Sequence, residues 1–329
     1  MNQYEKNRQV RLESIVSENF VWIILILLWI VASIINATFY KYVNIMNLLV
    51  HSVVLGLLVL GESLCLISGH FDLTIESTLI FTALFAGWLI SPDPLASGWL
   101  VNPVLAIILM LAVGAIIGMI NGLLVAYVKM NPFITTLAIS IALVGISIYW
   151  SKGKSIYPLP EIFNWLGKTQ IRTMPVSVIF LIIVYGIFHI ILTYTTFGRK
   201  IYAVGCNMNA ARASGINVRR TILSAYILSG FLAALAGWVL AGRLNSASSH
   251  ISSGLLLYVF AAAVIGGVSL GGGKGKVLGV FGGVLLLSSV SNLMNLSHVN
   301  AFLVQATTGF IILIAMFIDT IKEKFLLAK

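Results

Sequence analysis

Ten stretches of predominantly apolar residues, each near the length that crosses a bilayer, fill this 329-residue chain. They lie at 20–37, 43–67, 73–91, 101–128, 133–150, 175–194, 221–242, 254–270, 277–296 and 300–320. A membrane-spanning helix needs about 17–25 such residues. With 59% hydrophobic and 9% charged residues, a fold surrounded by water would expose far more apolar surface than one core can hide, so the solvent is lipid. The expectation is an all-α, polytopic membrane protein with about ten transmembrane helices and both termini in the cytoplasm. A tail at 1–19 precedes a transmembrane domain over 20–321, and a second tail covers 322–329.

The formal charge of +10 invites a nucleic-acid reading, so its placement matters more than its sum. With ten spans and a cytoplasmic N-terminus, 14 of the 20 Lys and Arg residues fall on inner segments and 6 on outer ones. That is the asymmetry expected of a membrane protein's cytoplasmic side. The charge is a topology signal; the partner it implies is a lipid membrane and no nucleic acid. The first 19 residues are polar, and no small-residue cleavage site follows the first stretch, so that stretch is expected to stay as an anchor. Cys65 and Cys206 fall in different compartments, which argues against a disulfide or a metal site.

Two polar segments interrupt the apolar pattern. The outer one, 151–174, carries Pro158 and Pro160 before the run Glu161 to Gly167. That run reads as a short surface helix with Trp165 at headgroup level, or as an ordered loop cap. The inner one, 195–221, reads TTFGRKIYAVGCNMNAARASGINVRRT. Asn207 suits an N-cap, Met208 to Ser214 make two turns, and Gly215 suits a left-handed C-cap. Arg199-Lys200 and Arg219-Arg220 flank this short helix, and Met208 with Ala211 forms an apolar knob for a partner's groove. The segment reads equally as a basic loop resting on anionic lipid. Gly114, Gly118 and Gly122 recur every fourth residue, as do Gly279 and Gly283, a spacing that lets neighbouring helices approach closely.

Little in the chain points to catalysis. The five histidines are scattered without metal-ligand spacing, and no nucleophile elbow occurs. The stretch Gly266 to Lys276 is glycine-rich, but Lys274 is followed by Gly275 and Lys276 by Val277, so it is no phosphate-binding loop. Any ATP is therefore handled by another polypeptide. Of ten acids, Glu62, Asp72 and Glu76 alone cluster where the second and third stretches meet. A charge at mid-bilayer costs at least about 2.5–3.5 kcal/mol, which makes the cluster a functional candidate. Asp72 serves equally well as a cap for the third span. A self-sufficient ion-coupled carrier or channel that uses these three acids is the competing reading.

Four blocks resemble the permease subunits of ribose-type ABC sugar importers: Gly69 to Ser77, Asn131 to Leu137, Phe197 to Gly205 with Ala210 to Val218, and Gly266 to Lys276. The resemblance implies a permease of the bacterial inner membrane for a monosaccharide or similar polyol-like solute. It implies partners too: separate ATPase subunits carrying ATP and Mg, an extracytoplasmic sugar-binding protein, and a second permease copy or paralogue. This chain would bind no cofactor and catalyse nothing. Taken with the reading of the acids and of the capped segment, the candidate residues of the substrate path are Glu62, Asp72, Glu76, Phe133 and Thr135, and those of ATPase coupling are Gly198, Arg199, Asn207, Ala211, Ser214, Gly215 and Asn217. Three departures mark the path. His70 and Glu76 stand where the family has glycines, and Gly254 to Tyr258 lacks the two acids that the family has before the eighth span. Glu62 and Glu76 are expected to supply the missing polarity.

Overall fold

Two of the long helices begin with the same dipeptide, Asn-Pro. Asn102 and Asn131 each accept a backbone N–H of the first turn, from Val104 at 2.9 Å and from Ile134 at 3.3 Å. The proline that follows each has no N–H to leave unpaired at that position. The computed structural model describes residues 20–252 and 254–300, with scattered positions between 303 and 317. The helices are α1 (Phe20–Ile35), α2 (Tyr42–Ile67), α3 (Ile75–Ile90), α4 (Pro103–Ala126), α5 (Pro132–Ser151), α6 (Glu161–Lys168), α7 (Val176–Tyr194), α8 (Thr196–Cys206), α9 (Met208–Ala213), α10 (Val218–Leu244), α11 (Leu255–Ile265) and α12 (Val277–Leu296). A two-residue hairpin, β1 (Gln170–Ile171) with β2 (Met174–Pro175), precedes α7.

The all-α, polytopic class stands, but the expected ten transmembrane helices do not. Among the described residues six helices are long and apolar enough to cross a membrane: α2, α4, α5, α7, α10 and α12. The stretches at 20–37, 73–91 and 254–270 form helices of 16, 16 and 11 residues. At 1.5 Å per residue these reach only about 24 Å and about 17 Å, short of a hydrocarbon core of about 30 Å. Two of the three are shortened by the turns that adjoin them. Residues 68–74 form a buried turn before α3, and the glycine-rich 266–276 loop ends α11 early. The tenth stretch, 300–320, lies largely outside the described residues, as do the expected tails at 1–19 and 322–329.

Helix α10 is the hub, packed on α4, α2, α3 and α6. Its approach to α4 depends on the glycine stripe. A Cβ on Gly114 would stand 2.5 Å from the Gly230 carbonyl oxygen, and one on Gly118 would overlap the Tyr226 carbonyl. Gly122 faces Leu223, so the contact runs antiparallel with backbones touching, as small residues permit in lipid. Gly279 and Gly283 do the same for α12 against α11, at Gly266 and Ala262. The apolar side chains left outside, among them Ile34 at 79% exposure and Ile141 at 66%, suit a surface solvated by lipid. Helix α6 is amphipathic: Phe163 and Leu166 are buried while Trp165 is exposed, in keeping with a surface helix.

Lys129, Arg199, Lys200, Arg212, Arg219, Arg220, Lys274 and Lys276 belong to the connections at one end of the bundle. By the charge rule this is the cytoplasmic end.

Candidate functional site

Three arrangements stand out: a buried acid network, a polar cavity and a glycine junction under the polar segment. The network grows from the turn between α2 and α3. Asp72 Oδ1 accepts the Thr74 N–H at 3.1 Å and the Thr74 hydroxyl, while Oδ2 accepts the Ser229 hydroxyl at 2.7 Å. Asn121 of α4 donates to Thr74 Oγ1 at 2.7 Å, and Tyr226 donates to the Phe71 carbonyl at 2.8 Å. Asp72 thus braces its own turn and ties it to α10. Thr74, the residue at the start of α3, makes no side-chain cap bond of its own; Asp72 accepts its backbone N–H, as expected of a residue that caps the entry to that helix.

Glu62 is fully buried in α2. Its Oε1 accepts the Asp72 N–H at 3.3 Å, and its Oε2 has no partner among the described residues. Leu58 and Leu66, one turn either side of it, are also fully buried. Glu76 has another setting. Helix α11 has no acidic residue in its first turn and no side-chain cap. Glu76 reaches across from α3 to accept the N–H groups of Leu255 at 3.2 Å and Leu256 at 2.9 Å. A carboxylate on the free N–H groups of a helix start is favourable for both hydrogen bonding and the helix dipole. Glu76 is therefore a cap supplied by a neighbouring helix.

Phe133 and Thr135 are not brought to these acids. Phe133 is 52% exposed at the start of α5, and buried Thr135 donates its hydroxyl to the Asn131 carbonyl at 2.7 Å.

The cavity lies between the first half of α2, the first turn of α11 and the second half of α12, at the end opposite the basic connections. Its volume is about 640 Å³. Asn44, Asn47 and His51 face it from α2, and Ser288, Ser291, Asn292 and Asn295 from α12; Leu255 and Tyr258 close one side. Asn44 and Asn292 exchange amide hydrogen bonds at 2.9 and 3.0 Å, holding the two helices together. The side chains of Asn47, Ser288, Ser291 and Asn295 make no hydrogen bond to other described residues, so their donors and acceptors are open to a ligand. Arg243 Nη2 donates to His51 Nε2 at 2.9 Å. The sequence reading missed this group because it followed acids. The signal was there: polar residues at 44, 47 and 51, and at 288, 291, 292 and 295, repeat with helical spacing inside apolar runs. Glu62 and Asp72 do not line the cavity. Glu76 touches it indirectly, through the backbone of Leu255 that it holds.

At the basic end, the capped helix follows the expected chemistry. Asn207 Oδ1 accepts from Asn209 and Ala210, both at 3.0 Å, and Gly215 closes α9 with φ +80°. Ser214 is the C-cap residue, and Asn217 caps α10 through the Arg220 N–H at 3.0 Å. Ala211 is 4% exposed and packs inward while Met208 is 38% exposed, so the two do not form a shared outward knob. An additional helix, α8, precedes α9 and buries Ile201 and Val204. At its start Gly198 sits on the Leu192 backbone, and Arg199 Nη1 donates to the Tyr194 carbonyl at 3.5 Å.

The end of α8 meets two other segments mostly backbone to backbone, with the Cys206 thiol against Gly273. The Gly273 N–H donates to the Ile67 carbonyl at 2.8 Å, and a Cβ on Gly205 would overlap that same oxygen. Gly272 lies over Gly69. Tyr202, whose hydroxyl is pushed above the usual phenol range by burial, donates to the Gly275 carbonyl at 2.7 Å. Through Ile67 this junction joins α8 to the end of α2, five residues beyond Glu62.

Comparison with known proteins gives the arrangement its context. Residues 44–318 match the family described as branched-chain amino acid transport system / permease component. The ribose import permease protein of Bacillus subtilis is 36% identical over 302 residues, 91% of each chain. The ribose import permease protein of Escherichia coli is 32% identical, covering 92% of this chain and 93% of its own. The L-arabinose transport system permease protein of Escherichia coli is 33% identical, covering 92% and 90%. No solved structure matches. The chain belongs to this family of transport-system permeases and is, within it, a multi-pass membrane permease of the ribose-type group.

Proposed function

We propose that this chain forms the translocation path for a monosaccharide in an ATP-driven importer, and that the cavity between α2, α11 and α12 is a station on that path. The observation that carries the reading is the set of open amide and hydroxyl side chains, Asn47, Ser288, Ser291 and Asn295, that line this cavity. A sugar leaving water must exchange its hydration for such groups, because each unpaired hydroxyl in an apolar setting costs roughly 2–7 kcal/mol. Uncharged amides and hydroxyls serve a neutral polyol without trapping it. The volume of about 640 Å³ lies within the range of small-molecule sites, roughly 300–1,000 Å³.

The same reading assigns the rest. Separate ATPase subunits, carrying ATP and Mg, dock on α8 and α9 at the basic end, since the chain has no phosphate-binding loop of its own. An extracytoplasmic sugar-binding protein delivers the solute at the opposite end, and a second permease copy or paralogue completes the pore. The chain acts as a transporter subunit with no catalytic step of its own. The relatives' names, with ribose, arabinose and galactose among their substrates, support a monosaccharide.

The test is uptake of a labelled monosaccharide panel by the assembled transporter carrying Asn47→Leu or Asn295→Leu. Each substitution removes a donor and an acceptor from the cavity and is expected to lower uptake of the cognate sugar about tenfold. Unchanged uptake of every sugar in both variants would remove the cavity from the path.

A further inference from the structure

We infer that the cytoplasmic end of the bundle carries a built site for the phosphate of an anionic phospholipid headgroup, in the pocket between the starts of α8 and α10. The pocket measures about 260 Å³ and is lined by Lys200 and Arg220 with Thr196, Asn217, Thr221 and Ser224. The Thr221 and Ser224 hydroxyls are turned to backbone carbonyls of α10 and its cap, which leaves two cations, the Thr196 hydroxyl and the Asn217 amide N–H groups as donors for a phosphodiester, with its acceptor oxygens and single negative charge.

Depth argues for lipid as the source. Thr196 follows directly on α7, and Thr221 and Ser224 lie in the first two turns of α10. Both are helices long and apolar enough to cross the membrane, so the pocket sits where those helices leave the hydrocarbon and headgroups reside. Charge argues for an anion from outside the chain. From residue 162 to residue 318 the sequence has no Asp or Glu. Among the described residues the five acids lie elsewhere: Glu62 and Asp72 in the buried network, Glu76 on α11, Asp93 on a connection and Glu161 at the start of α6, both at the far end. None faces Lys200 or Arg220. This inference is independent of which solute the permease carries.

The experiment is native mass spectrometry of the full-length chain with added phosphatidylglycerol or phosphatidylcholine. Phosphatidylglycerol should be retained at least about tenfold more strongly. Lys200→Gln and Arg220→Gln should each weaken it about fivefold, the effect of one basic residue at a membrane surface. The α10 cap uses the Arg220 backbone N–H and survives the substitution. Lys274→Gln removes an equal charge from the same end, outside the pocket, and should change nothing. Equal retention of the two lipids, or an equal loss in Lys274→Gln, would reduce the site to diffuse attraction and overturn the proposal. Displacement of phosphatidylglycerol by millimolar inorganic phosphate would assign the pocket to the free ion and overturn the lipid source.

Discussion

Gly205→Ala is the substitution that separates mechanical coupling from mere packing. A methyl group at 205 would overlap the Ile67 carbonyl oxygen and stand 2.5 Å from the Gly273 nitrogen, whereas real Cβ atoms essentially never come within 3.0 Å. All three neighbours are backbone, so no side chain can swing aside. The segments must part by roughly 1.5–2 Å to restore ordinary separations of roughly 3.5 Å, and the 2.8 Å bond from Gly273 to Ile67 is lost with them. Overpacking of this kind costs about 1–3 kcal/mol and the lost hydrogen bond about 0.5–1.5 kcal/mol; together they amount to about 1.5–4.5 kcal/mol. The helices themselves stay intact, because the strain falls on connections between them. The assay is ATPase activity of the assembled transporter with and without the sugar-loaded binding protein, alongside thermal unfolding of the purified chain. Gly205→Ala should unfold earlier and should lose stimulation by the loaded binding protein while its basal ATPase activity persists. Gly215→Ala is the comparison: its φ is +80° but nothing lies within 4 Å of the added methyl, so only about 1 kcal/mol of backbone strain is expected. A Gly205→Ala transporter with wild-type stability and full stimulation would refute the junction as a link.

Three further substitutions test neighbouring parts. Gly118→Leu places a side chain on the Tyr226 carbonyl and should abolish recovery of folded protein in detergent; a folded variant with altered sugar preference would instead place this face on the path. Glu76→Leu leaves the Leu255 and Leu256 N–H groups unpaired, at about 1–3 kcal/mol each, and should lower both the unfolding temperature and sugar uptake. Glu76→Gln keeps one acceptor and should lose less than half as much stability, so equal losses would contradict the cap. Glu62→Gln keeps the shape and an acceptor for the Asp72 N–H, and should leave uptake and stability within about twofold and about 1 kcal/mol of wild type; a loss of uptake beyond tenfold in a stable variant would put Glu62 on the path.

What could be read from sequence alone was what local chemistry determines. Asn207 and Gly215 bound α9 because caps act within one turn, and the Gly114, Gly118 and Gly122 spacing places three contacts on one helix face whatever the partner. The number of crossings was not legible in that way. A hydropathy window adds Gly266 to Leu270 to the apolar run before them, although the helix ends at Ile265 and those residues form a turn. Long-range pairing was also hidden. Nothing near Glu76 announces that its partners are Leu255 and Leu256, 179 and 180 residues later. The amide stripes of α2 and α12 were visible as a period but diluted by the leucines around them. Charge drew attention to Glu62 and Asp72, which the fold keeps inside the bundle.

The central claim is that this permease moves a sugar only when a separate ATPase drives it. The direct measurement is uptake of labelled monosaccharides into proteoliposomes, with the chain alone under imposed proton or sodium gradients, or assembled with ATPase subunits and binding protein under ATP. Accumulation should require the full assembly and hydrolysable ATP, and the chain alone should accumulate nothing under either gradient. Gradient-driven accumulation by the chain alone, insensitive to ATP and to the ATPase subunits, would contradict the account.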